Sequence, residues 1–384
     1  EEEKNKLKQE VDDASKAAKD TIDTITDPEQ KGQIAPAKEA GDNQIADTRK
    51  TAEAKDLSNA RDKAKDEIAK KAEEEKKAID ALPDLTEEEK AELKQEIDNA
   101  SKAAKDTIDT ITDPEQKGQI APAKETGDNQ IADTRKTAEV KDLSNAKDKA
   151  KDEIAKKTEE EKKAIDALPD LTEEEKDELK KEIDDASKAA QAVIDAVTDP
   201  AEKSRVEETK NNGSDKIAEA KKLAEDKDLS HARDKAKDEI AKKAEEEKKA
   251  IDALPDLTEA EKNKLKQEVD DASKAAQAAI DAVTDPAEKS RVEETKNNSS
   301  NTIADTRKTA EAKDLSNARD KAKDEIAKKA EEEKKAIDAL PDLTEEEKDE
   351  LKKAIDDASN AAVSAIDTIT DPEQKGQIAP AKET

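Results

Sequence analysis

Few side chains in this sequence are suited to chemistry. His231 is the one imidazole, and a single histidine offers no metal cage and little general acid–base capacity near neutral pH. It stands near a helix start, where an aligned segment carries Asn59, and reads as a surface substitution. Clusters such as Glu73-Glu74-Glu75 present carboxylates to a cation, but no Asp-x-Asp-x-Asp-Gly loop accompanies them. They read as a solvated helix face. The chain has no Cys, which excludes disulfides, thiol nucleophiles and zinc–thiolate sites. No Gly-rich phosphate loop, Ser-His-Asp set or paired buried carboxylates can be assembled. The expectation is a protein that is not an enzyme, with no catalytic, cofactor-binding or metal residues and no cofactor.

Composition narrows the partners as well. Phe, Tyr and Trp are absent, so there is no platform on which bases stack and no aromatic interface anchor. With 73 basic and 104 acidic residues the formal charge is −31, which repels nucleic acid and anionic membrane. No run of ~18 apolar residues is present to insert into a bilayer. The opening Glu1-Glu2-Glu3-Lys4 reads as a cut inside a longer protein, with no signal peptide. One feature warns of disorder: Leu, Ile and Val make up only 11 of residues 1–86, a composition that with high charge often fails to fold.

Pattern answers that warning. Leu-Pro-Asp-Leu-Thr ends at Thr86, Thr172, Thr258 and Thr344, an interval of 86 residues each time. Residues 1–86 and 87–172 differ at 8 positions. Residues 173–258 and 259–344 form a second subtype, with Pro-Ala-Glu-Lys-Ser-Arg-Val in place of Pro-Glu-Gln-Lys-Gly-Gln-Ile. Fixed-period self-similarity means one structural unit in tandem.

Each unit reads as three helices. The first, residues 1–25, carries Leu7, Val11, Ala14, Ala18, Ile22 and Ile25 in helical steps. The second spans 28–52, with Ile34, Ala37, Gly41, Ile45 and Ala52. The third spans 57–82, with Ala60, Ala64, Ile68, Ala72 and Ile79. Thr86 with Glu89 predicts a capping box, and Asp27-Pro28 predicts a cap followed by a first-turn proline. Asp66–Lys70, Glu67–Lys71 and Glu73–Lys77 are expected to pair along the third helix. Gly41, Gly127 and Gly213 align, with Ser299 in the fourth copy; an interior glycine costs ~1 kcal/mol, so a neighbouring backbone should approach there. Pro36 predicts a kink or a late helix start.

Two of the three junctions contain proline and can reverse the chain. The junction Glu53-Ala54-Lys55-Asp56-Leu57-Ser58 contains neither Gly nor Pro. The second helix then runs into the next third helix, straight or slightly broken, although Asp56 or Ser58 could cap a separate helix. The fold class expected is all-α: 86-residue three-helix bundles stacked end to end into a rod. Residues 1–55 form a partial repeat of two helices, 56–141, 142–227 and 228–313 full repeats, and 314–384 a partial one.

The stretch from Ala60 to Thr134 contains Ala-Lys-Asp-Glu-Ile-Ala, Ala-Ile-Asp-Ala-Leu-Pro-Asp-Leu-Thr-Glu-Glu-Glu-Lys, Ala-Lys-Asp-Thr-Ile-Asp and a Gly followed by Gln-Ile-Ala. It resembles the helical repeat of unknown function in Gram-positive cell-wall-anchored surface proteins, of the kind carried by staphylococcal extracellular-matrix-binding proteins. The resemblance implies an extracellular stalk, wall-anchored through other parts of its parent chain, that projects an adhesin domain of that same chain. A monomer is expected. The alternative is a multivalent module that binds a host protein weakly and repeatedly; a disordered acidic spacer is a third reading. Leu82-Pro83-Asp84-Leu85-Thr86 is not a sortase signal, since Thr falls one position late and no Gly follows. Asn212-Gly213-Ser214 and Asn298-Ser299-Ser300 match the N-glycosylation pattern, by chance in a bacterial protein.

Overall fold

A computed structural model describes residues 1–383. Among them are ten α-helices: α1 (Glu2–Asp23), α2 (Ile34–Asp80), α3 (Glu87–Asp109), α4 (Ile120–Asp166), α5 (Glu173–Asp195), α6 (Ser204–Asp252), α7 (Glu259–Asp281), α8 (Ser290–Asp338), α9 (Glu345–Asp367) and α10 (Ile378–Glu383). No strand occurs among the described residues. The all-α repeat expected from the period is therefore what the chain adopts. None of these helices is long and apolar enough to cross a membrane. The chain divides into two compact units, residues 1–157 with 186–215 and residues 158–185 with 216–384.

In the first unit the second half of α2, all of α3 and the first half of α4 form a three-helix bundle. Its core is Leu57, Ala64, Ile68, Ala72 and Ile79 from α2, Leu93, Ile97, Ala104 and Ile108 from α3, and Ile120, Ile131 and Ala138 from α4, with Leu85 and Ile111 from the connections. In the second unit α6, α7 and α8 repeat the arrangement, with Ile240, Ile251, Val269, Ile280 and Ile303 inside. The second half of α8 then packs with α9 and α10 around Ile326, Ile366 and Ile378. Buried Ile and Leu each contribute roughly 1.5–3 kcal/mol, and alanines between them let the helices approach. At the start of the first unit, α1 packs on α2, and Ala14 is its buried residue.

The helix boundaries shift in informative ways. The second and third sequence helices are one continuous α-helix, Ile34–Asp80, with no break at Asp56. Such a helix is about 70 Å long at 1.5 Å per residue. Residues Pro28–Gln33 form a 3-10 turn, with the Asp27 carboxylate accepting from Glu29 N at 2.9 Å. The α-helix then starts at Ile34, so Pro36 falls in its first turn, where no hydrogen bond is lost. This is the late start that Pro36 predicts. In the second subtype the 3-10 turn is only Pro200–Glu202 and α6 starts at Ser204, because Glu208 in place of the proline lets the helix begin earlier.

The aligned glycines mark close helix contacts. A Cβ on Gly127 would lie 2.3 Å from the Cβ of Ala104, and one on Gly41 would lie 2.4 Å from that of Ala18. No real pair of carbons sits so close, so glycine is what lets α3 and α4, and α1 and α2, touch.

Two expectations about charge need correction. Glu67 reaches across the bundle to Lys124 at 3.2 Å, while Lys71 pairs with Glu75 and Glu73 with Lys76. Glu67 is drawn to a bundle partner, whereas Lys71 and Glu73 find other partners on their own helix, four and three residues on. Nor is Glu73-Glu74-Glu75 wholly a solvated face. Glu75 is 4% exposed and is bonded by Lys71 at 2.6 Å and Arg135 at 3.1 Å. It lies on the stripe of Ala64, Ile68, Ala72 and Ile79, whose steps leave position 75 on the core face.

Candidate functional site: the joint between bundles

The residues that the sequence leaves without a role converge where one bundle meets the next. Each long helix passes from one bundle into its neighbour, and an aspartate sits at the crossing: Asp56, Asp142, Asp228 and Asp314. The sequence reads this aspartate as a candidate cap for a separate helix. The structure uses its carboxylate to cap something else.

In the first unit, Asp142 Oδ1 accepts from the backbone N–H of Asp84, in the Leu-Pro-Asp-Leu-Thr loop, at 2.8 Å. Its other oxygen pairs with Lys203, which comes from the turn leading into the following long helix. Lys203 also reaches the Asp84 carboxylate at 2.5 Å. Three segments far apart in sequence are thereby tied at one point, and the Asp142 side chain is 3% exposed. In the second unit Asp228 binds Asp170 N at 2.8 Å and pairs with Lys289, and Asp314 binds Asp256 N at 2.8 Å and pairs with Lys375. Among the described residues Asp56 pairs with Lys117 alone, and its side chain is 66% exposed.

Electrostatics favour the charged lock. Burial works against the Lys203 ammonium, but bonds from Asp142 and Asp84 outweigh it and hold its pKa above the ordinary lysine value. Lys289 and Lys375 are raised in the same way. A buried ion pair stabilises only when each partner is well bonded, and here the aspartate also carries a backbone N–H.

A second set of contacts surrounds the lock. Thr86 and Glu89 form the capping box at the start of α3. Asn145, on the long helix, donates to the Asp84 carbonyl at 3.0 Å and to Glu89 at 2.8 Å. Glu89 therefore couples the cap of the short helix to the long one. The Thr86 backbone N–H, with Asn145 and Lys141, holds the Glu89 carboxyl below the usual range against the cost of burial. Glu261 in the matching joint is lowered to about 2, first by the Thr258 backbone N–H. On the other side, Lys147 donates to the carbonyls of Asp195 and Val197, both at 3.0 Å, at the C-terminus of α5. Cations there complement the helix dipole. Arg61 and Arg233 do the same at the carbonyls of Asp109 and Asp281, each at 3.0 Å, and also bond the carboxylates.

His231 belongs to this set rather than to the open surface. Its Nδ1 lies 3.0 Å from the Asp170 carbonyl and its Nε2 3.5 Å from Glu175, the places that Asn145 serves in the first unit. Sequence reasoning missed the lock because its members lie 58 and 61 residues apart. One signal was available. The lysine of Pro-Glu-Gln-Lys and Pro-Ala-Glu-Lys stays in place while its neighbours change between subtypes. Among the described residues, no group of three or more His, Cys, Asp or Glu is placed to hold a metal ion.

The family described as Domain of Unknown Function (DUF1542) matches residues 60–139, 146–224, 232–311 and 318–383. Each match begins in the second half of a long helix and runs through the short helix into the next long one. Relatives include the extracellular matrix-binding protein EbhA of Staphylococcus aureus strain Mu3, 26% identical over 75% of this chain and 4% of that protein's length. EbhA of strain Newman is 26% identical over 75% of the chain and 8% of its own length. The matrix-binding protein ebh of strain JH9 gives the same identity over 2% of its length. The chain thus spans a small fraction of these relatives. No solved structure matches it.

Proposed function

This chain belongs to the family described as Domain of Unknown Function (DUF1542), and from that premise we propose that its repeats are a non-catalytic spacer in a bacterial surface protein. The units are 56–141, 142–227 and 228–313, flanked by partial ones at 1–55 and 314–384. Each adds about 40 Å of reach, from ~27 residues of helix at 1.5 Å each. The observation that carries the reading is the joint. A helix that continues from bundle to bundle resists bending, since a bend breaks its own hydrogen bonds, and the Asp142–Lys203–Asp84 contacts tie neighbouring loops against it. Charge of one sign spread along the array favours extension and opposes self-association. Its place is outside the cell, anchored to the wall through other parts of the parent chain.

The second reading is a multivalent binding module, favoured by the matrix-binding names of the relatives. Weak sites repeated along one chain gain by avidity. Immobilised extracellular-matrix proteins separate the two. The spacer reading expects no saturable binding of a single repeat at moderate salt. Saturable binding that survives such salt would overturn it.

A further inference from the structure

The two repeat subtypes differ at the turn into the long helix, and the lock does not require the difference. Both second-subtype turns, residues 200–206 and 286–292, border a groove, one in each unit. The first has a volume of about 790 Å³ and the second about 530 Å³. The floor of the first is apolar. Ala146 and Ala150, one turn apart on α4, line it with Val206 from the first turn of α6, and Leu82 and Pro83 join from the loop. The second repeats this with Ala232, Ala236, Val292, Leu168 and Pro169. Val206 stands where the first subtype has Ile120, so the exchange removes a methylene from the floor. Val140, beside the first groove, is 56% exposed, an apolar side chain left in water.

The walls are charged, with an excess of carboxylates. Four lysines and six carboxylates line the first groove, three and four the second. Lys210 is shared by Glu153 at 2.9 Å and Glu207 at 2.6 Å, and Lys203 by Asp84 and Asp142. Lys296 and Lys289 are shared in the same way in the second groove. Beyond the walls the chain carries a charge of −31, a field that draws cations in and turns anions away.

We propose that these grooves seat a cationic amphipathic peptide. An apolar side chain of the peptide enters the floor between the two long helices. Its flanking cations meet the carboxylate walls, Glu153 and Glu207 in the first groove, Glu239 and Glu293 in the second. An anionic peptide has the field against it, and an oligocation leaves the floor unfilled. Each second-subtype turn then adds one seat, and the array gathers such peptides along its length. This needs neither a rod nor a matrix protein, so it goes beyond both readings above, and its failure leaves them as they stand.

Fluorescence anisotropy with the full chain tests the seat. The probe is a labelled peptide alternating leucine and lysine, about eight residues and so ~27 Å when extended. At about 0.15 M salt its affinity should exceed that of oligolysine of equal length by about tenfold or more, because a buried leucine adds what charge alone lacks. Ala146 and Ala232 are half-buried. Ala146→Gln combined with Ala232→Gln puts a longer polar side chain on each floor and leaves the net charge unchanged. It should erase most of the difference and leave oligolysine binding as it was. Equal affinities in the wild type, or a difference that the double variant keeps, would overturn the seat; so would no binding of the leucine–lysine peptide. Methyl NMR of the wild type gives a readout that does not depend on the variant folding. The peptide should shift Val206 and Val292 and spare Val11 and Val363, half-buried valines outside both grooves. Shifts of equal size at all four would equally refute it.

Discussion

Asp142→Ala should loosen its joint far more than Asp56→Ala loosens the equivalent position one repeat earlier. The two aspartates occupy the same place in near-identical helices, so any gain in helix propensity, about 0.5 kcal/mol, is shared and cancels. Their surroundings differ. Asp142 is 3% exposed, accepts from Asp84 N at 2.8 Å and pairs with Lys203. Truncation leaves a half-buried N–H unpaired, at about 1–3 kcal/mol, and removes one charge-assisted bond. Lys203 keeps Asp84 at 2.5 Å and is itself 25% exposed, so the loss falls short of that for a fully isolated buried charge. The sum is about 2–4 kcal/mol. Asp56 has one partner and is 66% exposed, and an exposed pair is worth about 0–1 kcal/mol. Hydrogen exchange resolved by residue suits an array whose bundles do not unfold as one. Asp142→Ala should accelerate the amides of residues 84–86 by roughly 30-fold or more, at 1.4 kcal/mol per decade, with little change in Asp56→Ala at residues 115–117, the turn that carries its partner Lys117. Equal effects would refute the lock, since the aspartate would then act through its helix alone.

Gly127→Ala should destabilise the first unit by about 1–2 kcal/mol, because forced separation of α3 and α4 outweighs the helix propensity gained. Ser299 in the fourth copy shows that a Cβ is tolerated there, which keeps the figure small. Ala104→Gly in the same chain should recover part of the loss, and additive losses in denaturant titration would refute the close contact that the 2.3 Å distance implies. Acid should weaken the array before it loses all helix. Glu89, Glu261 and Glu347 are held low by the backbone N–H groups of their capping threonines, and Glu75, despite burial, by Lys71 and Arg135. A depressed carboxyl pKa contributes stability above the unfolded value, lost as pH falls through the folded one. Thermal melts followed by circular dichroism should hold steady to about pH 4.5 and fall towards pH 2; a midpoint independent of pH there would contradict these assignments.

Much of the fold is legible in one dimension because its determinants are local or periodic. Thr86 and Glu89 are three residues apart, the stripe from Leu7 to Ile25 repeats every turn, and Gly127 stands out in a helix with no turn to explain it. The joint was not legible, since Asp84, Asp142 and Lys203 meet only after three helices have packed. Asp142 also looks locally like a helix start, and its carboxylate does cap a backbone N–H, but that of a distant loop. Glu75 was misread because charge in a run of glutamates outweighs, on inspection, the stripe position that buries it. His231 looked like a surface exchange because its two acceptors come from a loop 61 residues away and a helix 56 residues away.

Small-angle X-ray scattering of the whole chain tests the spacer most directly. Four and a half units of ~40 Å in line give about 180 Å and a radius of gyration near 50 Å. That value, with the cross-section of a three-helix bundle, is the expected result. A radius near 21 Å, that of a compact chain of this length, would mean that the bundles fold back on one another, and the joints would not be what holds them apart.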